Sequence, residues 1–477
     1  MRSIKLNFVL NLVYTLSGLF FNLITFPYVS RVLLPQGVGI VCFYQSIITY
    51  IMLCTALGIP LYAVREIARI RKDATLCSKT TIEILLLHVL LTFIGYLVIF
   101  VLVSTVAKIQ ANIPLFLLLS AHLFLTAIGA VWFYQGIEDF KYITIRALTV
   151  RILSLILLFL SVREESDLLW YAFVIVAAEA GNNIFNFVRL RNFVSFRKCA
   201  LKDLRPFRHL RFALKIFALN LVISIYVNLD SVMLGFMKDE TAVGYYAAST
   251  RITKSILGIV QSLGGVLLPR LSHLAGDGKM EEFKSLSDKS FRFIMALSLP
   301  LAVGVIFMAA PIIHLFCGHN FEPSILTIQI IAPIILFIAI SNIAGPQILF
   351  SLGRENLVIF ATLGGAIINV TLNFILIPTY SQYGAGLATC IAEFVVMLLM
   401  IVFAWKYIPV RLFSRDSINY YVATSLMGVA LYILSRLNLS EFAFCGLGIS
   451  LSLLLYFGYL LCRKDYILMS IKAFFNK

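Results

Sequence analysis

A few ionisable side chains set inside long apolar runs carry whatever chemistry this sequence has. Asp230 lies in one such run, and Arg251 and Lys254 lie in the next. Placed on helices joined by a short loop, Asp230 and Arg251 sit roughly 8–9 Å below the same boundary at 1.5 Å per residue. Lys254 is one turn beyond Arg251 on the same face. One acid and two cations leave a positive charge over, so the group reads equally as an ion pair stapling two helices and as a site for an anion. Arg151 and Glu179 make a second pair, at matching depth on either side of another turn. Glu179 also heads a stripe with Asn182, Asn183 and Asn186, at spacings i, i+3, i+4 and i+7. Asn11, Thr15, Gly18 and Asn22 form a comparable stripe, as do Asn220, Ser224 and Asn228. Such a face lines water or the interior of a bundle, not lipid. Helix–helix hydrogen bonding explains any one stripe; several together favour a hydrated cavity.

The elements that must position these groups are membrane spans. Of 477 residues, 61% are hydrophobic and 13% charged, and the mean hydropathy is +0.95. Soluble proteins carry about 45–50% apolar and about 25% charged residues, which excludes a soluble enzyme, a nucleic-acid-binding domain and a disordered chain. Apolar runs fall at 7–29, 39–62, 81–106, 113–136, 143–162, 168–190, 212–236, 246–270, 290–316, 324–350, 357–378, 384–406, 418–437 and 442–461. They are continuous and about 20 residues long, as spanning helices require, and lack the roughly ten-residue alternation of a barrel strand. The expectation is an all-α polytopic membrane protein of about fourteen helices.

Lys and Arg total 39 against 23 acids, a net charge of +16. Alternating the loops between two sides leaves only Arg31, Lys108, Arg163, Lys238 and Arg436 on one of them, a bias of about six to one. Both termini are therefore expected in the cytoplasm. The basic stretch 189–215 reads as a topology determinant lying on anionic lipid rather than as an RNA patch. The first apolar run is too long for a signal-peptide core and reads as a retained helix. Eight cysteines are dispersed without CxxC spacing and six histidines are scattered, so neither a disulfide framework nor a metal site is expected. No phosphate-binding GxxxxGK[ST] loop occurs, and no loop is long enough to build an active site. No enzyme and no cofactor are expected; energy comes from a gradient, the membrane potential or substrate disequilibrium.

The sequence repeats itself weakly. Asn22 and Val38-Gly39 recur as Asn228 and Val243-Gly244; Phe133 to Glu138 recurs as Phe350 to Glu355; Ala178-Glu179 recurs as Ala392-Glu393. The matches are collinear, and the last pair is an intramembrane acid. An offset of six spans preserves orientation, so residues 1–211 and 212–417 are expected to be parallel six-helix lobes with the substrate path between them. Residues 418–477 add two helices and a tail.

Several motifs resemble the polysaccharide-specific transporter family of lipid-linked oligosaccharide flippases, within the multidrug/oligosaccharidyl-lipid/polysaccharide exporter superfamily. They are Phe26-Pro-Tyr-Val-Ser-Arg31-Val-Leu-Leu-Pro35-Gln-Gly37-Val-Gly39, Arg65-Glu66-Ile-Ala-Arg69 and Trp132-Phe-Tyr-Gln135-Gly136-Ile-Glu138. Asn228-Leu-Asp230-Ser-Val-Met-Leu-Gly235, Val243-Gly244-Tyr-Tyr246 and Leu267-Leu-Pro269-Arg270-Leu-Ser272 complete the set. One departure is Leu34, where the family often has glycine before the proline. The resemblance implies the two-lobed fold of that superfamily. It also implies a substrate, an undecaprenyl-diphosphate-linked oligosaccharide moved to the periplasmic leaflet of a bacterial inner membrane. Polymerase and chain-length-regulating proteins are implied as partners, beside membrane lipids and without nucleic acid. A diphosphate needs cations, and Arg31, Arg65, Arg151, Arg251 and Lys254 are the anion-facing candidates. Arg31 and Arg65 lie near span ends, where interfacial anchoring explains them as well. Asn182, Asn186 and Asn228 are cavity candidates for sugar hydroxyls, and Asp230, Glu179 and Glu393 are gating or coupling acids.

Two other functions compete. A cation-coupled exporter of small molecules expects an acid-dominated cavity, whereas intramembrane cations are at least as prominent here. A membrane polymerase or ligase expects a sizeable outward loop, and each outward loop is about ten residues or shorter.

Overall fold

The computed structural model describes residues 4–195, 201–261, 264–407, 415–437 and 439–465. Among the described residues every regular element is helical. The chain groups into two units, Met1–Phe236 and Met237–Lys477.

The first unit runs α1 (Ile4–Ala56), α2 (Ile59–Ile70), α3 (Ala74–Thr105), α4 (Ala107–Gln110), α5 (Ile113–Gly129), α6 (Val131–Gly136), α7 (Phe140–Ser161), α8 (Leu168–Val176), α9 (Asn182–Leu190) and α10 (Leu210–Met237). A π-turn, Ala177–Gly181, joins α8 to α9, and two 3-10 turns, Leu201–Asp203 and Pro206–His209, precede α10. α10 packs with the residues before it: Lys108 Nζ donates to the Gly235 carbonyl at 2.5 Å, and Phe43 meets Phe236 edge-on at 5.1 Å.

The second unit contains α11 (Glu240–Gln261), α12 (Gly264–Gly276), α13 (Met280–Phe307), α14 (Ala309–Cys317), α15 (Ser324–Ile331), α16 (Ile334–Asn342), α17 (Glu355–Ala404), α18 (Arg415–Ser435) and α19 (Glu441–Cys462). A 3-10 turn at His319–Phe321 follows α14, and a π-turn at Ile343–Leu349 follows α16.

Ten helical segments among the described residues are long and apolar enough to cross a membrane. Large side chains such as Phe93, Phe100, Leu160 and Leu454 stand exposed along them, which is tolerable only against lipid. This is a multi-pass membrane protein.

Two of the long helices contain a break, and the first has a sequence cause. Pro35 lacks an N–H and crowds the residue before it, and Leu34 answers with φ 56°, ψ 176°. That region is essentially reserved for glycine. Leu34 is thus both the departure from the family pattern and a strained residue. In α17 the break is at Ser381, φ 52°.

Two of the breaks in the first unit have a counterpart in the second. Leu57 and Gly58, both at positive φ, end α1 before the short helix α2, and α11 is likewise followed by the short helix α12. Ala130, φ 41°, separates α5 from α6; the second unit interrupts its corresponding helix with the π-turn Ile343–Leu349.

α2 shows how a unit is locked at its basic end. Ile59, Ala63, Ile67 and Ile70 are buried at spacings that put them on one face. They pack in a core with Trp132, Phe133 and Tyr134. Gly136 permits the closest approach, because a Cβ there would lie 2.8 Å from Ile67. That contact explains the glycine in the Trp132–Glu138 motif.

Candidate functional site

In the first unit the polar residues gather where α7 crosses α1. Arg151 donates from Nη1 to the Tyr14 carbonyl at 2.8 Å and to Ser17 Oγ. Its guanidinium lies 5.0 Å from the centre of the Tyr14 ring. Gly18 leaves the room, since a Cβ there would stand 3.2 Å from Arg151 Nη2. On the same two helices, Thr144 donates to the Leu10 carbonyl at 2.9 Å. Asn11, Thr15 and Asn22 of α1 are exposed beside this crossing.

Arg146 is a residue that sequence reasoning assigned only to the basic rim. It is 8% exposed, its guanidinium lies 5.0 Å from the Tyr142 ring, and its Nε and Nη1 have no hydrogen-bond partner among the described residues. Buried donors without partners are uncommon and call for an occupant. The signal in the sequence was a tyrosine four residues before an arginine inside a span.

Arg151 and Glu179, expected at matching depth, take different neighbours. Glu179 lies on the π-turn, half-exposed, with Oε2 3.4 Å from His122 Nδ1 on α5. In the stripe below it, Asn182, Asn183 and Asn186 are all buried, and Asn186 Oδ1 has no hydrogen-bond partner among the described residues. Asn186 donates to Asn183 Oδ1 at 3.4 Å, and its carbonyl accepts the Tyr134 hydroxyl at 2.7 Å. Arg31 and Arg65 are exposed. On α10, Asn228 is half-buried and Asp230 buried, with the Asp230 charge within reach of Tyr50. The side chains of Asn220 and Ser224 lie outside the described residues, as do residues 196–200 of the basic stretch.

The second unit has its own polar cluster. Asn373 donates to Asn369 Oδ1 at 3.2 Å, Asn369 donates to Thr389 Oγ1 at 3.4 Å, and the Tyr246 hydroxyl lies 3.2 Å from that same Oγ1. Both asparagines are fully buried, and Glu393, one turn from Thr389, is 8% exposed. Only Glu393 was singled out from sequence. The remaining signal was a pair of i, i+4 polar couples, Asn369/Asn373 and Thr389/Glu393, facing one another across the break at Ser381. On α11, Arg251 is half-buried and Lys254 exposed.

At the basic end of the first unit a buried carboxylate ties down the segment leading into α10. Glu83, fully buried, accepts the Arg205 backbone N–H at 2.9 Å, Arg208 Nη2 at 2.6 Å and His209 Nε2 at 3.0 Å. The Tyr62 hydroxyl lies 2.7 Å from His209 Nδ1, and Arg208 Nε lies 3.2 Å from His209 Nε2. Burial pushes the His209 imidazole below its ordinary range, and the Glu83 hydrogen bond offsets only part of that shift. Nearby, Glu138 and Asp139, at the end of the aromatic motif, pair with Arg71 at 2.6 Å and Arg189 at 2.9 Å.

The histidines are not all scattered in space. His314, His319 and Glu441, from α14, the following 3-10 turn and α19, lie together, a proximity that their spacing in the sequence does not show.

Comparison with known proteins adds to this geometry. A family profile described as "Polysaccharide biosynthesis protein" matches residues 4–275, and a second, MatE, matches residues 216–375. The "Putative O-antigen transporter" of Escherichia coli (strain K12) is 22% identical over 409 residues, covering 84% of this chain and 98% of that protein. The protein of the same name from Shigella dysenteriae is 24% identical, covering 80% and 95% respectively. The solved structure of lipid II flippase MurJ in an inward closed conformation superposes with a TM-score of 0.71 at 19% identity. It covers 97% of this chain and 100% of the other, and so shares the fold.

Proposed function

The chain belongs to the polysaccharide biosynthesis protein family, and from that premise we propose that it is a flippase for undecaprenyl-diphosphate-linked oligosaccharides. It moves them from the cytoplasmic to the periplasmic leaflet of a bacterial inner membrane. The observation that carries this reading is the charged, polar crossing of α1 and α7 set among apolar spans. Arg151 is fixed there by Tyr14 and Ser17, and Arg146 is buried nearby with two donors unfilled. A hydrated, cation-bearing surface inside the membrane suits a diphosphate, whose hydration guanidinium groups replace with directed charge-assisted bonds. Exposed Asn11, Thr15 and Asn22 offer hydrogen bonds to sugar hydroxyls, while the prenyl tail remains in lipid.

Arg31 and Arg65 in the first unit, and Arg251 and Lys254 in the second, are further anion-facing groups on this reading. Asn182, Asn186 and Asn228 hold the helices that bear it. Glu179 with His122, Asp230, and Glu393 with the Asn369–Thr389 cluster are the acids whose partners change as two six-helix lobes, 1–211 and 212–417, alternate access. The basic ends face the cytoplasm, with both termini there. A polymerase and a chain-length regulator receive the product outside.

The MatE match over residues 216–375 supports a second reading, export of small molecules. Disrupting the gene separates the two. Lipid-linked repeat units trapped in the cytoplasmic leaflet support flipping. Normal surface polysaccharide with altered drug sensitivity supports export instead.

A further inference from the structure

We propose that His314, His319 and Glu441 form a binding site for a divalent transition-metal ion of the zinc type. The three come from separate elements: the last turn of α14, the 3-10 turn after it, and the first turn of α19. One ligand atom from each lies within 4.8 Å of the other two. Ligand atoms around a tetrahedral zinc ion, bound at about 2.0–2.1 Å, stand about 3.3 Å apart, so small side-chain rotations suffice.

Two of the three side chains are already in contact. His314 Nδ1 and Glu441 Oε1 are 2.5 Å apart. The His319 ring lies 4.3 Å from the His314 ring between centroids, tilted by 42°. A hydrogen bond joining α14 to α19 explains His314 and Glu441 and leaves His319 unexplained. It also leaves His314 Nε2 buried with no hydrogen-bond partner among the described residues. A metal ion uses all three side chains, and either ring nitrogen of His314 can ligate it, the other then carrying the N–H.

The donor set selects the ion. Two imidazoles and one carboxylate suit zinc and its first-row neighbours, whereas calcium and magnesium prefer oxygen ligands throughout. His319 is exposed, which opens the site to an entering ion and to a water as fourth ligand. The bound ion fastens α19, in the helical pair outside the sequence repeat, to the body of its unit. On the orientation proposed above, this end of the unit faces the periplasm.

The test uses the full-length protein purified through a histidine-free tag, reconstituted in nanodiscs and stripped with a chelator. It is then incubated with zinc chloride, desalted, and assayed for bound metal and thermal unfolding. Wild type should retain about one zinc ion per chain and unfold at a higher temperature with zinc than without. His319→Ala and Glu441→Gln should retain none and show no zinc-dependent shift. His319 is exposed, so its variant should match the metal-free unfolding temperature of wild type. Zinc-free wild type after desalting, or equal retention by His319→Ala, overturns the proposal.

Discussion

Arg151 of α7 lies against Tyr14 of α1, giving a hydrogen bond to the Tyr14 carbonyl at 2.8 Å and placing its guanidinium 5.0 Å from the centre of the same residue's ring. A mid-span guanidinium held from two directions is oriented without being neutralised: its anchors are a carbonyl, a hydroxyl and an aromatic face. That is the arrangement expected of a cation that must remain available to an anionic ligand.

Arg151→Lys keeps the charge and loses the planar fork. A charge-assisted hydrogen bond is worth about 1.5–3 kcal/mol, so transport should fall about tenfold or more while membrane abundance stays near wild type. Ser17→Ala, which removes one anchor and no charge, should have a smaller effect. Equal transport by Arg151→Lys and wild type in a flipping assay would assign Arg151 to helix packing alone.

Leu34→Gly should stabilise the protein despite placing glycine in a long helix. The strain of a non-glycine residue in this backbone region is of order 1–3 kcal/mol, against a glycine entropy cost of about 0.5–1 kcal/mol. Thermal unfolding in detergent should therefore move upward, and a downward shift contradicts the dihedral angles at this position.

Glu83→Ala removes the acceptor shared by Arg205, Arg208 and His209. Leaving buried donors unpaired costs about 1–3 kcal/mol, and the segment before α10 should become sensitive to protease. Digestion of intact wild type and variant side by side measures this.

The same cluster gives a pH dependence. His209 titrates below its ordinary value in the folded protein. As pH falls below the unfolded value of about 6.5, the unfolded chain therefore takes up its proton first and the folded state loses stability. Above that pH this group contributes no slope. The groups facing it are Glu83, Arg208, Glu66 and Tyr62. Melting temperatures at about pH 7.5 and about pH 5.5 should differ less in His209→Gln than in wild type.

Much of this architecture is legible in the sequence because lipid imposes it. Continuous apolar runs, basic loops and repeated motifs all precede any knowledge of packing. Leu34 was legible as a departure from the family pattern, although its backbone strain was not, since strain belongs to the turn and not to the residue. Arg146 was hidden by its position near a basic end, where an arginine has an ordinary explanation. Asn369 and Asn373 were hidden because helix–helix hydrogen bonding accounts for isolated asparagines in a span; only their meeting with Thr389 gives them a common site. His314 and Glu441 are 127 residues apart, a separation that no local spacing rule reaches.

The central claim, that intramembrane arginines of the first unit carry an anionic lipid-linked sugar across the bilayer, is tested most directly in proteoliposomes. They would be loaded with a fluorescent undecaprenyl-diphosphate oligosaccharide and probed by a reagent confined to the outside. Wild type should expose the inner-leaflet pool rapidly, and the double variant Arg146→Gln/Arg151→Gln, reconstituted in equal amount, should expose it no faster than empty liposomes. Undiminished flipping by the double variant would contradict the account.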